Sequence, residues 1–70
     1  MKHEFSDRLR FCRRQRGLTQ EQLAEAMGVS VAAVSKWELG QRTPELEKVF
    51  RMTLIFGVAV EGIFQRTESA

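Results

Sequence analysis

The placement of glycine most constrains what this chain can fold into. Gly17, Gly28, Gly40 and Gly57 each follow a stretch with helical spacing of apolar residues. That is the position where a left-handed residue closes a helix. Stops this frequent leave room only for short helices. No segment alternates apolar and polar residues as a half-buried strand does. The sequence therefore predicts an all-α fold of four to five short helices. Seventy residues fit one domain, expected over 1–70 with an ordered core at about 5–64.

Starts are marked as clearly as stops. Phe5, Leu9 and Cys12 recur along one face and predict a first helix over about Phe5–Arg16. Thr19-Gln20-Glu21-Gln22 has the form of a capping box opening a second helix. Leu18 and Leu23 stand where a hydrophobic staple would flank it, and Leu23, Ala24 and Met27 face inward. Ser30 caps a third helix, running to about Leu39, that turns Val34 and Trp37 inward. Thr43 and Pro44 predict the start of a fourth, with Pro44 at its first position. Its expected core stripe is Leu46, Val49, Phe50, Thr53 and Phe56. A weaker pattern at about Val60–Phe64 predicts a short fifth helix.

A core this small supplies about 3–5 kcal/mol, so chains of this length often carry a staple. Cys12 is the only cysteine, so no internal disulfide forms, and it reads as a core residue of the first helix. His3 is the only histidine, which leaves no Cys/His set for a structural metal. No cofactor is expected. Tight helix packing or oligomerisation remains. The first twenty residues contain no apolar h-region, and the longest apolar run, Met52 to Val60, is far too short to span a bilayer. The expected setting is the reducing cytoplasm, without a membrane.

The net charge of +2 is unevenly spread. Residues 1–16 hold Lys2, Arg8, Arg10, Arg13, Arg14 and Arg16 against Glu4 and Asp7, while the rest is net acidic. A basic face of this kind suits a polyanion-binding surface, and equally a solvated helix face.

Two short helices joined by a glycine turn, the second capped by serine, have helix-turn-helix geometry. Each position answers a steric demand. Ala24 is small where the helices cross, Gly28 takes the turn, and Val34 and Trp37 pack inward from the third helix. The full set at this spacing is far more specific than any one residue.

These residues bring the chain close to a known family. It resembles the Cro and phage-repressor type of helix-turn-helix domain, also called the xenobiotic-response-element family. The matching stretches are Arg16 to Ala24, Met27 to Ser30, Val34 to Gly40, Arg42-Thr43-Pro44 and Phe56-Gly57-Val58. The resemblance implies a lambda-repressor-like domain with its helix-turn-helix at about 19–39, binding double-stranded DNA as a homodimer. It implies that Val31, Ala32, Ala33, Ser35 and Lys36 face the bases of the major groove. It implies phosphate contacts from Gln20, Ser30, Gln41, Arg42 and Arg14, and a structural ion pair between Arg13 and Glu38. Val31, Ala32 and Ala33 carry no hydrogen-bonding side chain, so they can read only thymine methyls and local shape. Lys36 can reach guanine or a phosphate. Modest base discrimination per half-site is expected, with affinity drawn from phosphates and shape.

The chain departs from the family pattern at Phe11, Leu54, Ile55 and Ala59. The first three are apolar where the family is usually polar or small. The excess of apolar residues over Met52–Val60 predicts a dimer interface through helices four and five, at Leu54, Ile55, Val58 and Val60. A tightly wrapped small core is the alternative. The expected function is a sequence-specific DNA-binding regulator, foremost a repressor acting by promoter occupancy. The rival is a protein-interaction module on the same fold, antitoxin-like, with a protein partner on helices four and five. No nucleophile–base pair or phosphate loop suggests an enzyme.

Overall fold

Four helices follow one another along the chain: α1 (Glu4–Gln15), α2 (Gln20–Met27), α3 (Val31–Glu38) and α4 (Leu46–Phe56). They come from a computed structural model that describes residues 4–59 and 62. Among the described residues there is no strand.

Caps set most of these boundaries. The Thr19 hydroxyl accepts from the Gln22 amide at 3.0 Å, and the Gln22 side chain accepts from the Thr19 amide at 2.9 Å. This reciprocal box starts α2. Ser30 Oγ accepts from the Ala33 amide at 3.1 Å and starts α3. At the other end of α2, Gly28 has φ 71 and ψ 33, a left-handed conformation that costs a residue with a Cβ about 1–2 kcal/mol. The turn lets the Val29 amide reach back to the Ala24 carbonyl at 3.0 Å and the Gly28 amide to the Glu25 carbonyl at 3.2 Å. The same two-bond closure ends α1 at Gly17 and α3 at Gly40. Only Val29 and Ser30 stand between Gly28 and α3, so the two helices must turn sharply on each other.

Helix α4 begins later than its sequence suggests. Pro44 is not its first residue; it is buried in the preceding loop, and Glu45 (φ −66, ψ 158) is the N-cap. Pro44 and Val49, both buried, occupy the N′ and N4 positions of a hydrophobic staple. The proline lines one groove with Val29, Ala33 and Trp37. Packing on the turn between α2 and α3 therefore outweighs the preference of proline for the first helical position.

The inward face of α4 also differs from the expected stripe. Val49, Met52, Thr53 and Phe56 are buried, whereas Leu46 and Phe50 are exposed. Both sets have helical spacing. Periodicity does not choose between them, because α4 is apolar on more than one face. The fifth helix expected at about Val60–Phe64 lies, Gly62 apart, outside the described residues.

The core joins Leu9 and Cys12 of α1, Leu23, Ala24 and Met27 of α2, Val34 and Trp37 of α3, and Val49, Met52 and Phe56 of α4. Helix α2 packs on α3 and on α4, and α1 packs on α3. Burial pushes the Cys12 thiol above its ordinary pKa, with the Arg8 charge opposing. Arg8 also ties α1 to the segment after α4: its Nε donates to the Gly62 carbonyl at 2.8 Å. Its guanidinium lies 4.9 Å from the centre of the half-exposed Phe11 ring, a cation–π distance.

Candidate nucleic-acid interface

Helix α3 has two contrasting sides. Val34, Trp37 and Glu38 face the core. Ala32, Lys36 and Leu39, at i, i+4 and i+7, are exposed on one side, with the half-buried Ser35 beside them. Val31 stands at the N-terminal edge of that face, 42% exposed. Ala33 does not join it: it is half-buried and packs against the core beside Trp37. Leu39 does join it, 58% exposed, although it was not among the expected base-facing residues. Its signal was present in the helical spacing from Ala32 but masked by its place at the helix end.

The outward face has small side chains along its middle. With the exposed Ala32 and the half-buried Ser35 there, the helix can approach a surface closely, as one entering the major groove must. Lys36 is exposed on this face, and Arg42 and Gln41 are exposed in the loop that follows. Arg14, near the end of α1, is exposed as well. Among the described residues, none of Lys36, Arg42 and Arg14 takes part in an ion pair. Their charge is free for an external anion.

The orientation of α3 is fixed at its C-terminal end by Glu38. Its carboxylate accepts from Arg13 Nε at 2.6 Å and Arg13 Nη2 at 3.1 Å, a two-bonded pair that is largely withdrawn from water. Arg13 Nη1 also donates to the Leu18 carbonyl at 2.8 Å, just before α2. Arg10 Nη2 donates to the backbone carbonyl of Glu38 at 2.7 Å, where a cation also suits the negative end of the helix dipole. Gln20 Nε2 donates to Glu38 Oε1 at 3.0 Å. Glu38 thus joins α1, the start of α2 and the end of α3.

Gln20 is half-buried, and this bond uses one of its two amide N–H donors. The other donor and the amide oxygen remain for a further partner. Ser30 is exposed, with its hydroxyl engaged as the cap of α3. Of the residues expected at a dimer interface, Leu54 is fully displayed, while Ile55 and Val58 are half-buried against the chain's own core. Val60 lies outside the described residues. The parts of Arg10 and Gln20 at Glu38 are new to the structure, since no spacing rule links residues this far apart in sequence.

The helix-turn-helix family model HTH_3 matches residues 9–63. The chain belongs to this helix-turn-helix family. Its fold is that of the lambda-repressor-like regulators. Among similar helix-turn-helix proteins is the transcriptional activator BcrR of Enterococcus faecalis, 38% identical over 65 residues, or 93% of this chain and 32% of BcrR. Another is the cryptic phage CTXphi transcriptional repressor RstR of Vibrio cholerae, 31% identical over 65 residues, or 93% of this chain and 59% of RstR. The helix-turn-helix chain thus spans between about a third and three-fifths of these curated relatives. Among solved structures, the restriction-modification controller protein C.AhdI from Aeromonas hydrophila superposes with a TM-score of 0.81 at 31% identity, covering 87% of this chain and 92% of that one.

Proposed function

We propose that this chain is a sequence-specific double-stranded DNA-binding regulator of transcription that acts as a homodimer by occupying a promoter. One observation carries the proposal: the outward side of α3 presents the exposed Val31, Ala32 and Lys36, and among the described residues Lys36, Arg42 and Arg14 are exposed and form no ion pair. In this reading α3 enters the major groove. Val31, Ala32, Ser35 and Lys36 meet base edges, Ala33 contributes only at the margin, and Leu39 adds an apolar contact. Arg14, Gln20, Ser30, Gln41 and Arg42 hold the backbone. The relatives include an activator and a repressor by name. Repression is proposed here, because occupancy alone suffices for it.

A binding module accounts for the residues better than an enzyme does. Among the described residues no three His, Cys, Asp or Glu side chains come together, and the buried carboxylate of Glu38 is already engaged by Arg13 and Gln20. No described helix is long and apolar enough to cross a membrane. The proposed setting is the cytoplasm, where Cys12 stays a thiol.

Fluorescence anisotropy with a labelled mixed-sequence duplex, titrated across salt, tests the proposal. The logarithm of the binding constant should fall against log salt with a slope of about −0.9 per neutralised phosphate. Binding that is absent at low salt, or insensitive to salt, would instead favour a protein-interaction module on the same fold.

A further inference from the structure

Arg10 belongs to the basic stretch 1–16, and by charge alone it suits a phosphate contact. The fold uses it differently. A helix leaves its last four carbonyls without helical partners. In α3 these belong to Ser35, Lys36, Trp37 and Glu38. Backbone amides just after the helix take three of them. Leu39 donates to the Ser35 carbonyl at 3.0 Å, Gln41 to Lys36 at 2.9 Å and Gly40 to Trp37 at 3.2 Å. The carbonyl of Glu38 instead accepts from Arg10 Nη2 at 2.7 Å. Arg10 Nη1 lies 3.7 Å from the Asp7 carboxylate and Nε 3.9 Å from Glu38 Oε1. Each nitrogen of this half-buried guanidinium thus faces a partner within the chain.

We infer that Arg10 is a positioning residue for base reading: it holds the main chain at the end of α3, and with it the angle at which Lys36 and Leu39 meet the bases. Arg13 and Arg10 grip different parts of Glu38. Arg13 holds the carboxylate, which the rotatable bonds of the side chain separate from the backbone. A helix end tied there alone can swing as those torsions change. Arg10 holds the carbonyl, which moves only with the helix itself. The two attachments together, both from α1, fix the place and the rotation of the last turn of α3. Lys36 and Leu39 are exposed at that end, and a reading group tolerates a misorientation of only about 10–20°. The same grip takes Arg10 out of the set of phosphate contacts. The inference rests on the regulator reading proposed above and adds a residue that touches no DNA yet sets its specificity.

Anisotropy titrations on a preferred and a scrambled duplex, each across salt, test this with Arg10→Gln and Arg14→Gln. Arg10→Gln should lower the preference between the two duplexes about tenfold, the worth of about one base pair, with an unchanged salt slope. Arg14→Gln should do the reverse: the preference stays and the slope falls by about 1 per copy. Arg10→Lys, which keeps one donor for the Glu38 carbonyl, should recover most of the preference. A slope reduced in Arg10→Gln as in Arg14→Gln overturns the inference, because the charge of Arg10 then meets phosphate. Equal weakening on both duplexes, with the helical circular dichroism retained, also overturns it, as does an unchanged preference. Should Arg10→Gln lose its helical signal, arginine-selective nitrogen NMR of the wild type decides. On addition of the scrambled duplex the Arg14 guanidinium signal should shift and that of Arg10 should stay; a shift of Arg10 alongside Arg14 overturns the inference. A wild type that binds neither duplex overturns the regulator reading, and this inference with it. That failure registers in the wild-type titration, before any variant is compared.

Discussion

Arg13 and Glu38 meet as a two-bonded ion pair, at 2.6 Å and 3.1 Å, where α1 passes the end of α3. The pair joins stability to function. It sets the angle of the proposed recognition helix against the rest of the domain, and it holds Gln20 at the start of α2 through the same carboxylate. Removing Glu38 leaves a largely buried guanidinium uncompensated, at a cost of about 3–5 kcal/mol. That is comparable to all that a core of this size supplies, about 3–5 kcal/mol. Glu38→Ala is therefore expected to be largely unfolded at room temperature. Arg13→Met combined with Glu38→Leu, which removes both charges, is expected to recover most of the stability. Urea denaturation followed by circular dichroism checks both; a Glu38→Ala midpoint equal to wild type would contradict the account.

Gly28 permits a separate test of the turn. Nothing lies within 4 Å of a Cβ built on this residue, so the penalty for a side chain is that of its left-handed backbone alone. Gly28→Ala should cost about 1–2 kcal/mol. Gly28→Asn should cost less, because asparagine tolerates that region through local hydrogen bonding. Equal losses for the two variants in thermal melts would mean that something other than backbone conformation sets the cost.

Such turns and caps were the legible part of the fold. Thr19 and Gln22 signal the start of α2 because a capping box is local, and Ser30 and Gly28 are equally local. The start of α4 was not legible, since Pro44 serves a tertiary contact that outranks its local preference. Its buried face was legible in part: Val49, Thr53 and Phe56 are buried as their spacing implies, but Leu46 and Phe50 fit the period as well as Met52 does, and only the packed neighbours decide between them. At the candidate site, the Arg13–Glu38 contact enters the sequence reading solely through family resemblance. The bonds from Arg10 and Gln20 to Glu38 had no sequence signal at all. Ala33 was placed toward the bases by family resemblance alone; helical spacing puts it one turn before the inward Trp37, and there it packs against the core.

Cys12 gives the pH dependence a definite sign. Burial raises its thiol pKa in the folded state above the ordinary value of 9.0. The unfolded chain then loses its proton first as pH rises. Stability from this group is fully present below about pH 9 and declines as pH climbs toward the folded-state pKa. Cys12→Ser, which does not titrate in that range, should flatten the high-pH limb of a stability–pH curve relative to wild type. A limb of the same steepness in both proteins would contradict the assignment.

Lys36 and Arg42 should fail in different ways. Lys36→Ala removes the one charged side chain on the outward face of α3 and should cost about 1–3 kcal/mol on the preferred sequence, narrowing the gap to unrelated duplexes. Arg42→Ala removes a phosphate contact. It should weaken all duplexes alike and reduce the salt slope by about 1 per copy. Anisotropy titrations on a preferred and a scrambled duplex separate the two. Unchanged affinity and unchanged preference in Lys36→Ala would remove it from the base-reading set.

The central claim is that α3 reads duplex DNA as one half of a symmetric pair. Selection of bound duplexes from a random library at low and high salt, followed by sequencing, tests it most directly. The account predicts an enriched inverted repeat with half-site centres about 10–10.5 base pairs apart, retained at low salt and lost at high salt. A library that returns unenriched at both salt concentrations would contradict it.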